Sequence, residues 1–156
     1  MEGEPALLVV LDGVEDPHNL GAIIRTAYAA GARAVVVPER RAAGLTETVA
    51  KAAAGALEYL PVARVGNLNR ALEFLKEKGY WILGLDERAE QSYDRADYRG
   101  RAAIVLGGEG RGLHQQVAGH CDFLVKIPVA GKIAALNVSI AAGIVLFEAM
   151  RQRGAR

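Results

Sequence analysis

Cysteine is nearly absent. The single Cys121 has no intramolecular partner, which excludes a disulfide framework and a multi-cysteine metal site. Charge of one sign is lacking as well: 19 Lys and Arg against 18 Asp and Glu leave a formal charge of +1. No global positive field draws in nucleic acid, so any such binding must use local arginines or a partner. No apolar run is long enough to span a bilayer. The longest, Val138 to Met150, is interrupted by Glu148, whereas a spanning helix needs about 20 residues. The amino-terminal MEGEPALLVV carries acids where a secretory signal would be basic, so the chain is read as cytoplasmic. Repeats and low-complexity tracts are missing too. What remains, 156 residues at 51% hydrophobic and 24% charged, is one folded domain with room for a proper core.

Short apolar runs alternate with helical periodicity. Strands are predicted at 7–11, 34–37, 60–65, 80–85, 102–106 and 123–127. Between them, apolar residues at Leu20, Ile23, Ile24 and Ala27 keep helical spacing, with Asn19 placed to cap and Gly31 to terminate. Further helices are expected over 46–54, 68–78 and 137–153, and the polar stretch 86–101 reads as an exposed excursion. Parallel neighbours require crossover connections, so the pattern predicts an α/β fold: a mostly parallel sheet with helices on both faces. The last helix is apolar on more than one stripe, which predicts a self-association surface and a homodimer.

Three segments carry residues suited to chemistry. In Asp16-Pro17-His18-Asn19-Leu20-Gly21, proline sets a turn and the helix start offers free N–H groups to an anion. Arg25 falls about 140° from Leu20 round that helix, away from the core; on spacing alone Asn19 is an ordinary cap and Arg25 a solvated charge. Gly107 to Gly112 has four glycines in six positions directly after a buried strand, a composition suited to close approach of a ligand. Glu109 within it suits a helix cap, a ribose hydroxyl or a cation equally. The dinucleotide fingerprint fails because Leu113 stands where its third glycine belongs, and Gly131-Lys132-Ile133 fails the phosphate-loop pattern. The third segment, Ile127 to Ser139, joins a strand end, Pro128, a glycine turn and an Asn137-initiated helix at the edge where open α/β sheets bind ligands. His18, His114 and His120 lack metal-ligand spacing, and neither Ser92 nor Ser139 has an adjacent base, so no metal is expected.

Taken in order, LDGVEDPHNLGAIIRTAYAAGA, IVLGGEGRGL and IPVAGKIAALNVSIAAGIVLFEAMRQR closely resemble the three motifs of the SpoU (TrmH-like) group of the SPOUT superfamily. These are S-adenosylmethionine-dependent RNA ribose 2′-O-methyltransferases. The first and last segments are most similar to the bacterial branch that methylates a guanosine of large-subunit rRNA. The resemblance implies a SPOUT fold with a deep trefoil knot in its C-terminal part, a homodimer, an RNA substrate, S-adenosylmethionine as donor with S-adenosylhomocysteine as product, and no metal. It implies catalytic roles for Asn19, Arg25, Glu109 and Asn137. Donor binding is implied for Leu106, Gly107, Gly108, Glu109, Gly110, Ile127, Pro128, Leu136 and Asn137. Arginine is a poor proton acceptor, so Arg25 is read as phosphate clamp and oxyanion stabiliser, with Asn19 orienting it. Glu109 would orient a ribose or Arg25. This sequence departs from the family at Ala134 and Ala135, where serine is usual, and at Val129, where methionine is usual. Relatives of this branch carry an N-terminal RNA-binding extension; here the first strand begins at Leu7, and residues 1–156 are read as one catalytic domain. Arg33, Arg40, Arg41 and Lys51 are candidates for a local basic patch or an ordinary solvated face. The alternatives are a tRNA ribose methyltransferase, a non-catalytic RNA-binding dimer that kept the fold, and a Rossmann-type nucleotide enzyme, which the failed fingerprint disfavours.

Overall fold

In a computed structural model of the chain, residues 5–40, 44–109, 112–132 and 136–154 are described. Seven strands form one sheet, β1 (Leu7–Asp12), β2 (Ala34–Pro38), β3 (Val62–Val65), β4 (Trp81–Leu85), β5 (Gln91–Ser92), β6 (Ala102–Gly107) and β7 (Phe123–Lys126). They run in the order β3-β2-β1-β6-β4-β7-β5, and every pairing is parallel. The central strands β1 and β6 are almost wholly buried, as expected of apolar runs covered on both faces. Five helices cover them: α1 (Pro17–Ala29), α2 (Glu47–Ala53), α3 (Leu68–Glu77), α4 (Gln115–His120) and α5 (Val138–Gln152). One core packs under α1, α2 and α5 around Leu7, Val9, Leu11, Ile23, Ile104 and Leu146; the other packs under α3 and α4 around Val10, Leu72, Ile82 and Val105. The β1 residues alternate between the two, the period-two signature of a strand.

Local chemistry explains the boundaries. Asp16, not Asn19, caps α1: its side chain accepts the Asn19 N–H at 3.0 Å, with Pro17 in the first turn. Proline suits that position because its missing N–H would have no helical partner there, and this arrangement frees the Asn19 side chain. Gly31 ends α1 with φ +87°, as its spacing predicts. Thr46, Asn67 and Asn137 cap α2, α3 and α5 through their side chains. The six-residue α4 entered the sequence reading only as a helix that Glu109 might cap, without bounds, because a single buried Val117 leaves no periodicity to detect.

The stretch 86–101 is not simply an exposed excursion. Asp86, Ala89, Ala96 and Tyr98 are buried, and β5 pairs with β7. Tyr98 donates its hydroxyl to the Tyr93 carbonyl at 2.6 Å, while Gln152 of α5 accepts the Tyr98 N–H and donates to the Ala96 carbonyl, both at 2.9 Å. Few and irregularly spaced, its apolar residues gave no periodic signal, yet they lie under α5.

Candidate functional site

The carboxyl ends of β4, β6 and β7 meet the start of α5 around a solvent-open cleft with a cavity volume of about 110 Å³. Leu106, Gly107, Gly108, Ile127 and Leu136, all singled out from the sequence, line it. So do Leu85, Glu87, Gly112, Val129, Val138 and Ala141, which the sequence reading did not assign to donor binding. Leu85 and Glu87 come from a strand end that matched no motif, so only the folding of β4 beside β6 and β7 could reveal them. Pro128 is not among the lining residues; Gly110, Ala134 and Ala135 lie outside the described residues.

Glycine is required at the back of this cleft. Gly108 and Gly112 pair as an isolated antiparallel bridge, and a Cβ on Gly107 would fall on the Gly112 backbone carbonyl. Gly112 itself has φ +68°, where L side chains are strained. Gly107 is therefore dictated by backbone contact and Gly112 by its backbone conformation.

Beside the cleft runs a chain of polar side chains from three distant segments. The Asn137 amide donates to Asn19 Oδ1 at 3.2 Å, and Asn19 Nδ2 donates to Glu109 Oε1 at 3.2 Å. Glu109 also accepts the backbone N–H groups of Asp16 (3.2 Å) and Glu15 (3.4 Å). Asn137 meanwhile caps α5 by accepting the Ser139 N–H at 2.9 Å. Asn137 is thus both the cap and the link that the sequence left as alternatives. Glu109 does not cap the following helix, whose cap residue is His114; it ties the glycine segment to the entry of α1. Burial opposes the ionised form of Glu109, but its own N–H, the Asn19 amide and the Asp16 and Glu15 N–H groups outweigh that and hold its carboxyl below the usual range. It is a carboxylate at neutral pH.

Arg25 stands apart. It lies six residues beyond Asn19 on α1, about 9 Å along the axis and 120° round it. Its side chain is exposed and makes no hydrogen bond or ion pair to a described residue. The Asn19 amide is committed to Glu109 and Asn137, so the expected orientation of Arg25 by Asn19 is not seen. Of the other cations, Lys51 sits 3.9 Å from Glu47 in an exposed pair, and Arg41 lies outside the described residues. His114 is held by Asp12 at 2.8 Å, and among the described residues no cluster of three metal-binding side chains occurs. No helix among them is long and apolar enough to cross a membrane.

Comparison with known proteins places these features. Residues 6–147 match the model described as the SpoU rRNA Methylase family. The 23S rRNA (guanosine-2′-O-)-methyltransferase RlmB of Pseudomonas putida is 52% identical over 149 residues, 96% of this chain and 60% of the relative. An uncharacterized tRNA/rRNA methyltransferase of Synechocystis is 55% identical over 148 residues, 95% of this chain and 38% of the relative. The chain therefore spans about 40 to 60% of the length of these relatives. Among solved structures, the SpoU methyltransferase AviRb from Streptomyces viridochromogenes, in complex with AdoMet, superposes with TM-score 0.90 at 30% identity, covering 98% of this chain and 62% of that one.

Proposed function

The chain belongs to the SpoU rRNA Methylase family, and from that premise we propose that it transfers a methyl group from S-adenosylmethionine to a ribose 2′-OH of RNA, a guanosine of large-subunit rRNA. The observation that carries this reading is the convergence of Asn19, Glu109 and Asn137, hydrogen-bonded in a chain beside the cleft lined by Leu106, Gly107, Gly108, Ile127 and Leu136. The cleft suits the donor. Leu85, Leu106, Ile127 and Leu136 offer apolar walls for a flat heterocycle, and the glycine segment offers main-chain donors and acceptors without side chains in the way.

When bound, the donor supplies an electrophilic methyl group on a sulfonium. The protein's task is then to hold a ribose hydroxyl in line with it and to favour loss of the hydroxyl proton. Positioning of this kind can lower a barrier by about 7–11 kcal/mol. Glu109, Asn19 and Asn137 fix the mutual placement of the three segments, so that the cleft wall and the start of α1 cannot drift apart. Arg25, exposed on α1 and uncommitted to described residues, is the residue free to clamp an RNA phosphate and to stabilise negative charge developing on the ribose oxygen.

The reading extends to a C-terminal deep trefoil knot, a homodimer and a cytoplasmic location. Support for the knot comes from β7 lying between β4 and β5, which are consecutive in the chain, so the connection 86–90 must pass around the continuation of β7. Support for the dimer comes from Ile140 and Phe147, 58% and 43% exposed on α5. The cytoplasmic location follows from a ribosomal substrate. A tRNA substrate is favoured by one likeness: a structure solved for 2-OH methylation of C/U34 on tRNA superposes with TM-score 0.87 at 28% identity over the whole of that chain.

Replacing Arg25 by Ala should abolish transfer of labelled methyl groups to RNA while calorimetric donor binding survives; loss of both together would overturn the role given to Arg25. Labelled transfer to rRNA against tRNA, followed by mapping of ribose methylation, separates the two substrates. No transfer to either would favour a binding-only dimer.

A further inference from the structure

We infer that Glu87 reads the positive charge of the methyl donor, so that the cleft discriminates the charged donor from its neutral product. The inference rests on the reading that this cleft holds the donor.

Among the described residues, Glu87 is the one titratable residue on the cleft wall; its companions there are glycines and apolar side chains. It follows the last residues of β4, placed between a buried acid and a cation. The cation's hydrogen bonds go to the acid, and Glu87 feels only its charge. Asp86 accepts from the Arg88 backbone N–H and Nε at 2.9 Å each and from Nη2 at 2.6 Å, which folds Arg88 back onto Asp86. Glu87 itself is exposed and makes no hydrogen bond or ion pair to a described residue. An exposed carboxylate with no hydrogen bond to a described residue, bordered on the cleft side by apolar groups, directs part of its field into the cleft.

The donor and product differ in charge by one unit. Both keep an ammonium and a carboxylate, but methyl transfer leaves the S–CH₃ bond's electron pair on sulfur and converts the sulfonium cation to a neutral thioether. A negative group near that end favours the donor and disfavours retention of the product. Contact with the ribose hydroxyls or the ammonium would strengthen both ligands alike. Glu87 is thus a specificity residue, distinct from groups that touch the reacting atoms.

Calorimetry on the whole chain with S-adenosylmethionine and with S-adenosylhomocysteine tests this for the wild type, Glu87→Gln and Glu87→Asp. Glu87→Gln is expected to weaken donor binding by about three- to tenfold, the worth of one unit charge at contact in a wet cleft. Product affinity should change by less than about twofold, because a ligand of zero net charge feels little of that field. Glu87→Asp, which keeps the charge, should retain most of the preference. Raising salt from about 50 to about 500 mM should erode donor binding in the wild type more than in Glu87→Gln. Equal weakening of both ligands, or no change in either, would overturn the inference. A wild type that binds neither ligand would sink the reading of the cleft itself, and this inference with it.

Discussion

Two carboxylates at strand ends contact the residues that follow the glycine segment. Asp12, at the end of β1, accepts the His114 backbone N–H at 2.7 Å and faces the His114 ring at 2.8 Å. Asp86, beyond β4, binds Arg88 through both oxygens and takes a hydrogen bond from the Leu113 backbone. The Arg88 guanidinium, against the opposing effect of burial, holds the Asp86 carboxyl below its ordinary value. A carboxyl depressed in the folded state adds stability that is full above its unfolded value, near 3.8, and is lost as pH falls through the folded one. Asp86→Asn should therefore lower stability at pH 7 by about 1–2 kcal/mol, discounted for the exposure of Arg88. It should also flatten the decline in stability between about pH 4 and pH 2. Urea unfolding across that range checks both, and an unchanged acid limb would count against Asp86 as its source.

Among the elements, the glycine turn after β6 is the least tolerant of a side chain. A Cβ on Gly107 would meet the carbonyl of Gly112, which is main chain and has no alternative rotamer. Gly107→Ala should cost at least about 2 kcal/mol in unfolding experiments, and donor binding should be lost because the turn must open. Gly119, in α4, has open space around its would-be Cβ and no positive φ. Gly119→Ala should instead stabilise the chain by about 0.5–1 kcal/mol and leave binding intact. If the two substitutions behaved alike, backbone contact at Gly107 would not be the reason for glycine there.

For the whole molecule, α5 decides the outer surface. Ala141, Ala142, Val145, Leu146 and Ala149 are buried against the protomer, whereas Ile140 and Phe147, two turns apart, project from it. These two side chains belong to the surface assigned to the proposed dimer. The proposed dimer predicts a sedimenting mass of twice the chain at micromolar concentration, and monomers for the Ile140→Glu, Phe147→Glu double variant. A monomeric wild type would remove the dimer.

The α/β alternation was legible because each central strand is a short apolar run and each long helix has a periodic face: β1, β6 and α3 all fall within a residue or two of their predicted bounds, and α1 starts three residues before its predicted first turn. Gly31 and Asn137 announced helix ends through local chemistry alone. The same local logic misassigned the cap of α1, since Asp16 and Asn19 are both good caps and only Glu109, 90 residues from Asn19, draws the Asn19 side chain away. Motif resemblance picked out Leu106, Gly107, Gly108, Ile127 and Leu136 of the cleft and not Gly112, Val129, Val138 or Ala141 in the same segments; Glu87 and Asp86 carry no motif and matter only because β4 lies beside β6 and β7. Short-range forces, the period of burial and the demands of caps and turns, are written in neighbouring residues, so the sequence by itself determined the class of fold and the ends of its elements. Which distant amides and carboxylates share a hydrogen bond, as Asn19 does with Glu109 and Asn137 and Asp12 with His114, depends on strand order in the sheet; only the tertiary structure could decide it.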